Sequence, residues 1–192
     1  MTTEHSEPLI EAKIEKYVKT LCGNDDNRFT KQFFEEHILL VIKYGLQLAD
    51  YYKADKEIIR LAGLLHDVSV LLSNNKLEVH NVDSSTVATK LLKVYSYNED
   101  RIKRVSDCIL KHLRPLHEGG GNREEVCVSN ADAMAQIVKP AYWLYFAFKI
   151  RGLSYHEGLS WYRKRITDNW NALVDPAKNL IREEYEQIRV VI

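Results

Sequence analysis

Apolar residues recur along this chain at three- and four-residue spacings, while strand-like alternation is scarce. The pattern predicts an all-α fold with helices over 9–22, 30–53, 56–73, 81–95, 98–113, 124–137, 140–151, 155–173 and 176–190. The four prolines, Pro8, Pro115, Pro140 and Pro176, fall at the expected boundaries. Two stretches rich in turn formers, CGNDDNRFT and SNNKLEVHN, read as loops. The stretch PLHEGGGNREE interrupts the pattern with three consecutive glycines. It lacks the Gly-x-x-x-x-Gly-Lys-Ser/Thr spacing of a phosphate cradle and no strand precedes it, so a connector is expected. A lid at Gly119–Gly121 over a site is the alternative. No internal repeat or low-complexity tract divides the chain, and residues 1–192 are expected to form one domain.

One segment departs from one-sided amphipathicity. In LAGLLHDVSVLL, Leu61 to Leu72, apolar residues cover every direction of a helix, so the segment reads as buried; yet His66 and Asp67 sit in its middle. A buried carboxylate must be paired or must coordinate a metal. A hydrogen-bonded pair within the core and a metal site are both open at this point, and the second requires further ligands elsewhere in the chain.

Composition narrows the setting. With 45% hydrophobic and 28% charged residues the chain is of ordinary globular type. Lys+Arg and Asp+Glu total 27 each, so no net basic field favours nucleic acid or an anionic membrane. Cys22, Cys108 and Cys127 form no Cys-x-x-Cys pair and are odd in number, which suits a reducing compartment. The start, MTTEHSEPLI, has no signal-peptide pattern, and the apolar run AYWLYFAF, Ala141 to Phe148, is too short to span a bilayer. A cytoplasmic protein is expected, with the oligomeric state open and a homodimer compatible with the sequence.

Further candidate ligands follow at intervals. His37 shares a helix face with Leu40, Val41 and Tyr44 and therefore looks inward. Asp132 is the acid of a small-residue, apolar stretch, VCVSNADAMAQIV; a first-turn Asp beside a helix dipole, capped by Ser129 or Asn130, is the competing reading. His80 opens a helix, and His112 closes one just before a proline, where a cationic imidazole could complement the C-terminal dipole. Tyr142, Trp143, Tyr145, Phe146 and Phe148 read as packing rather than as a nucleobase face. WYRKR, Trp161 to Arg165, reads as a solvated face.

Taken in order, His37 in EEHILLVIKYGLQLAD, His66-Asp67 in LAGLLHDVSV, His80 in HNVDSSTVATKLL, His112 in CILKHLRP and Asp132 in NADAM resemble the HD-domain superfamily of metal-dependent phosphohydrolases. The resemblance covers about residues 30–137, with 138–192 expected as a C-terminal helical extension packing on that core. It implies a helical bundle in which His37, His66, Asp67 and Asp132 are metal ligands. His80 and His112 would complete a second metal site, or face substrate phosphates or the attacking water where one ion binds. Asp67, His80 and His112 are the implied catalytic residues; the short loop after LLHD resembles a small nucleotide-hydrolase branch and implies a single ion.

The chain departs from the family pattern in two places. Ser69-Val70 stand where many members carry Gly-Lys or Ala-Lys, and Ala133 where many carry Arg or Lys. A Gly-Tyr-Pro motif of the cyclic-dinucleotide branch is absent. Lys111 and Arg114, flanking His112, are candidate phosphate contacts, with solvated helix-end charges as the other reading. Mixed imidazole and carboxylate ligands suit Mn²⁺, Fe²⁺, Co²⁺, Ni²⁺ or Zn²⁺. The implied activity is hydrolysis of a small phosphorylated metabolite, foremost a nucleotide, by metal-activated water. Hydrolysis of a dinucleoside polyphosphate and a catalytically silent metal- or nucleotide-binding sensor are the alternatives.

Overall fold

A computed structural model describes residues 9–24, 27, 29–72 and 79–192. The described residues form helices and connecting turns, with no strand among them. In order these are α1 (Ile10–Cys22), α2 (Leu39–Tyr52), α3 (Lys56–Leu65), α4 (Val68–Leu72), α5 (His80–Val94), α6 (Glu99–Leu110), α7 (Arg123–Ile137), α8 (Pro140–Tyr145), α9 (Tyr155–Ala172) and α10 (Asp175–Val191). A π-helical turn, Phe34–Ile38, leads into α2, and another, Phe146–Ile150, extends α8. The expected start MTTEHSEP and most of the loop SNNKLEVHN lie outside the described residues.

Polar side chains start the helices where turn chemistry predicts. Asp55 accepts from Glu57 N at 3.1 Å and Ile58 N at 3.3 Å to begin α3. Asn122 and Glu125 form a capping box on α7, and Pro140 and Pro176 occupy the first turns of α8 and α10. Lys53, in the left-handed region at φ 55°, closes α2.

α7 is the central helix: from Glu124 to Ile137 every residue is buried. Its small residues, Ser129, Ala131, Ala133 and Ala135, let neighbours approach on all sides, and α2, α3, α6, α9 and α10 pack around it. α2 and α3 meet at two reciprocal notches, with Gly45 under Ile59 and Gly63 under Ile42. A Cβ on Gly45 would stand 2.7 Å from Ile59 Cγ2, so only glycine permits this approach. The close contact brings the C-terminal end of α3 against the entrance of α2. α8, α9 and α10 cover the remaining face of the core; the buried Tyr162 hydroxyl donates to Ile137 O at 2.8 Å and ties α9 to the end of α7.

The span expected as one helix over 56–73 is two. α3 ends at Leu65, α4 begins at Val68, and His66-Asp67 occupy the turn between them. Hydrophobic periodicity reports burial and not backbone continuity, so an apolar run on both sides of a turn gives the same pattern as an unbroken helix. The connector at Gly119–Gly121 is anchored, as Glu118 accepts from the Tyr52 hydroxyl at 2.8 Å and Leu116 is bonded to Ser129 and Asn130 of α7.

Candidate metal centre

Five chain segments deliver six side chains to one buried cluster. His37 comes from the π-helical turn before α2, where the widened backbone displaces side chains from ordinary helical spacing. His66 and Asp67 come from the α3–α4 turn, His80 from the first residue of α5, His112 from the turn after α6, and Asp132 from the interior of α7. His37, His66, Asp67, His112 and Asp132 are buried, and His80 is half-buried.

The cluster has two lobes joined by one carboxylate. In the first, His37 Nε2 stands 3.0 Å from His66 Nε2, 3.2 Å from Asp132 Oδ1 and 3.5 Å from Asp67 Oδ2, while His66 Nε2 is 3.2 Å from Asp67 Oδ2. In the second, His80 Nε2 lies 3.0 Å from His112 Nε2 and 3.0 Å from Asp67 Oδ1, and His112 Nε2 is 3.7 Å from the same oxygen. Asp67 thus turns Oδ2 to one lobe and Oδ1 to the other. Two atoms that share an ion at about 2.0–2.2 Å stand about 3.0–3.6 Å apart, which is the spacing of most of these contacts.

The protonation pattern also fits a cation. His66 Nδ1 lies 2.9 Å from Gly63 O and His112 Nδ1 lies 2.7 Å from Ile109 O; a carbonyl only accepts, so each Nδ1 carries a proton and each ring turns its Nε2 to the cluster. Both rings at the same time satisfy a carbonyl at the end of a helix. Burial, followed by the positive field of His66, pushes the His112 pKa down to about 4, so that ring is neutral. Burial opposes ionisation of Asp67, but His66, His37 and His80 outweigh it and hold the carboxyl well below the usual range. Asp132, against the same cost, is held at about 2 by His37 and His66. Burial would lower the His37 pKa as well, yet hydrogen bonds to Asp132 and Asp67 raise it to about 9, and metal binding there would exchange that proton for the ion. His112 offers a bare Nε2, and Asp67 and Asp132 offer ionised oxygens, to one buried space ringed by the other imidazoles. The donor set therefore fits a divalent metal.

A surrounding layer fixes these groups. Gln136 donates to both oxygens of Asp132, at 3.0 and 2.9 Å, and accepts from Asn169 Nδ2 of α9 at 3.0 Å. Ser69 Oγ donates to the His80 carbonyl at 3.2 Å and pairs with Ser84 at 2.9 Å, tying α4 to the start of α5. The His37 ring stacks on Phe33 and meets the edge of Trp143, with ring centres 4.9 and 5.3 Å away.

A cleft of about 550 Å³ is lined by Leu113 and Arg114, which follow His112 in the chain, and by Trp161, Lys164, Arg165, Asp168 and Asn169 of α9; none of the six cluster side chains lines it, and Asn169 links it to Asp132 through Gln136. Arg114 therefore reaches the cleft. Lys111 instead pairs with Glu125 at 2.8 Å, and Gly119–Gly121 do not line the cleft.

Several sequence expectations are corrected here. Asp132 is not a first-turn acid, since α7 begins at Arg123 with Asn122 as its cap; Ser129 and Asn130 bond instead to Leu116 and Val126. His112 is no cationic helix end, because burial keeps it neutral. WYRKR is a solvated face only at Arg163 and Lys164: Tyr162 is fully buried, and the Arg165 guanidinium lies 5.4 Å from the ring centres of both Trp143 and Trp161. Gln136, Ser69 and Arg165 were not singled out by their sequence context. Glutamine four residues after the aspartate is the one signal that could have marked Gln136, since that spacing shares a helix face.

Residues 34–137, more than half of the chain, match the HD domain, and the chain belongs to that family. The fold is similar to that of a solved structure from an uncultured Thermotogales bacterium, described as a predicted HD superfamily hydrolase, with a TM-score of 0.55, 18% sequence identity, and coverage of 90% of this chain and 91% of that one. No curated protein matches the chain. Among the described residues, no helix is long and apolar enough to cross a membrane.

Proposed function

We propose that this protein is a metal-dependent phosphohydrolase that acts on a small phosphorylated metabolite, with nucleotides as the foremost class. The observation that carries the reading is the division of Asp67 between two lobes of donors, Oδ2 towards His37 and His66, Oδ1 towards His80 and His112. His37, His66, Asp67 and Asp132 would hold one ion and Asp67, His80 and His112 a second. This arrangement favours two ions over the single ion implied by the sequence resemblance. A divalent metal so held brings the pKa of water towards neutrality and neutralises charge on a phosphoryl oxygen.

The chain's own groups set the rest. The ionised carboxylates and the neutral His112 need no proton removed before binding a cation, whereas His37 must give one up. Gln136 holds both oxygens of Asp132 in place, and Ser69 holds the backbone of His80. Were a single ion held by His37, His66, Asp67 and Asp132, His80, the most exposed of the cluster histidines, would instead be free to pass a proton between water and a leaving group. Elemental analysis of protein purified without chelator, followed by a phosphate-release screen over nucleotides and sugar phosphates, tests the reading. The expected outcome is up to two equivalents of Mn, Fe, Co, Ni or Zn and metal-dependent phosphate release. Protein that neither retains nor takes up these ions sinks the proposal, whereas metal without any turnover points to a sensor.

A further inference from the structure

Among the described residues, three buried side-chain polar atoms lack a hydrogen-bond partner: His37 Nδ1, Trp143 Nε1 and Arg165 Nε. They are not scattered. The rings of His37 and Trp143 are 5.3 Å apart, and the Arg165 guanidinium is 5.4 Å from the Trp143 ring, so the three residues form one continuous row. The row begins at the metal cluster and ends at Arg165 in the wall of the 550 Å³ cleft. Buried donors without partners are uncommon in native proteins, and a run of them beside a cleft points to an acceptor-rich ligand.

The charge pattern agrees. Arg165 sits between Trp143 and Trp161 and makes no ion pair with a described residue; burial lowers its pKa from the ordinary value, and the more distant charges of Asp132 and Asp67 offset that only in part. An unpaired guanidinium in such a place is costly until an anion meets it. Arg114, which also lines the cleft, is exposed and makes no ion pair with a described residue, while Lys164 adds a third cation already partnered by Asp168 of the same lining. Guanidinium groups present forked donors that match phosphate oxygens. Trp161, Lys164, Arg165 and Asn169 all belong to α9, beyond the residues 34–137 that match the family.

We infer that Arg165 and Arg114, assisted by Lys164, form a phosphoryl subsite next to the metal centre, so that the substrate carries a second phosphoryl group besides the one attacked. The inference rests on the reading of the His/Asp cluster as a hydrolytic metal centre. Metal ligands hold the scissile group, and α9 holds the other, which makes Arg165 a specificity-determining residue. Selection would then favour compounds with at least two phosphoryl groups over monophosphates.

Inorganic phosphate is the probe. Calorimetric titration of metal-loaded, full-length protein at constant ionic strength should give two phosphates per chain. Arg165→Met should remove one, leaving metal content and helical circular dichroism unchanged, and Arg165→Lys should weaken that same site by roughly tenfold, as a point charge replaces a fork. Arg114→Met, at an exposed position that folding does not depend on, should weaken it comparably. Asp67→Ala should remove the metal and its phosphate but leave the Arg165-dependent one. A single phosphate in the wild type, unaffected by Arg165→Met and Arg114→Met, overturns the subsite while leaving the metal-centre reading intact. Arg165→Met protein that loses metal or helicity, together with Arg114→Met binding that matches the wild type, also overturns it by showing that Arg165 only packs. Absence of metal with an Arg165-dependent phosphate retained would instead sink the hydrolase reading alone.

Discussion

At the scale of single residues, Asp67 decides what the cluster can do. Each of its oxygens faces a different pair of imidazoles, so removing one pair leaves the other lobe complete. His80→Ala and His112→Ala should each lower metal content from about two equivalents to about one and reduce turnover by ~10²–10⁴-fold, the range for a lost acid–base or activating group. Metal analysis beside phosphate release for each variant checks this; unchanged stoichiometry with reduced turnover would restore the one-ion arrangement. His66 and Asp67 were legible as polar groups inside an apolar run, which demand partners, while His37, His80, His112 and Asp132 each had an ordinary local context and were joined to them by the order of the family resemblance. The residues behind them were not legible. Gln136, Ser69 and Arg165 have ordinary local contexts, and what distinguishes them is a contact made across helices. The Arg-Lys-Arg run at 163–165 has the composition of a solvated face; Arg163 and Lys164 are indeed exposed, while Arg165 folds under two indoles.

At the scale of elements, nine periodic stretches corresponded to helices because periodicity tracks the buried stripe. The interruptions were hidden for the same reason: the π-helical turn at His37 and the break at His66-Asp67 keep their apolar neighbours buried. What places the break is the anchoring of α3 at its other end. Asp55 caps α3, lies 3.0 Å from Arg101 of α6 and 3.3 Å from Arg104, while its own backbone N–H donates to Glu124 of α7 at 2.9 Å. One residue therefore ties α3 and α6, which lead into cluster residues, to α7, which carries Asp132. Asp55→Ala should destabilise the fold by ~1–3 kcal/mol at pH 7, from a lost cap and partly exposed ion pairs. The effect has a defined pH window. Partial burial opposes ionisation of Asp55, but Arg101 and the Ile58 N–H outweigh it, so its folded pKa lies below the ordinary value. Its stabilising contribution is then fully present above the unfolded carboxylate pKa of about 3.9 and is lost as pH falls through the lower folded value. Urea melts of wild type and variant across pH 3–7 should converge only at the acid end; a constant difference would mean that the cap's shape, and not its charge, supplies the stability.

At the scale of the whole molecule, the cluster is a junction. Its six side chains come from segments spread from His37 to Asp132, so the fold must gather two carboxylates and four imidazoles at one buried point. An ion that binds this arrangement and not the unfolded chain stabilises the fold by mass action, by about 2.7 kcal/mol when its free concentration is a hundred times the Kd. For a chain of this size each kcal/mol moves the melting temperature by about 2–4 °C, so stripping the metal should lower Tm by roughly 5–10 °C. The destabilisation should be reversed by restoring the ion. His37→Ala protein, deprived of the ligand that meets His66, Asp67 and Asp132 together, should melt lower than wild type but respond less to chelator. Calorimetric scans with and without chelator, for both proteins, make the comparison. If chelation leaves the wild-type Tm unchanged although metal is removed, the His–Asp contacts of the cluster and the packing around the buried α7 hold it together without a metal ion.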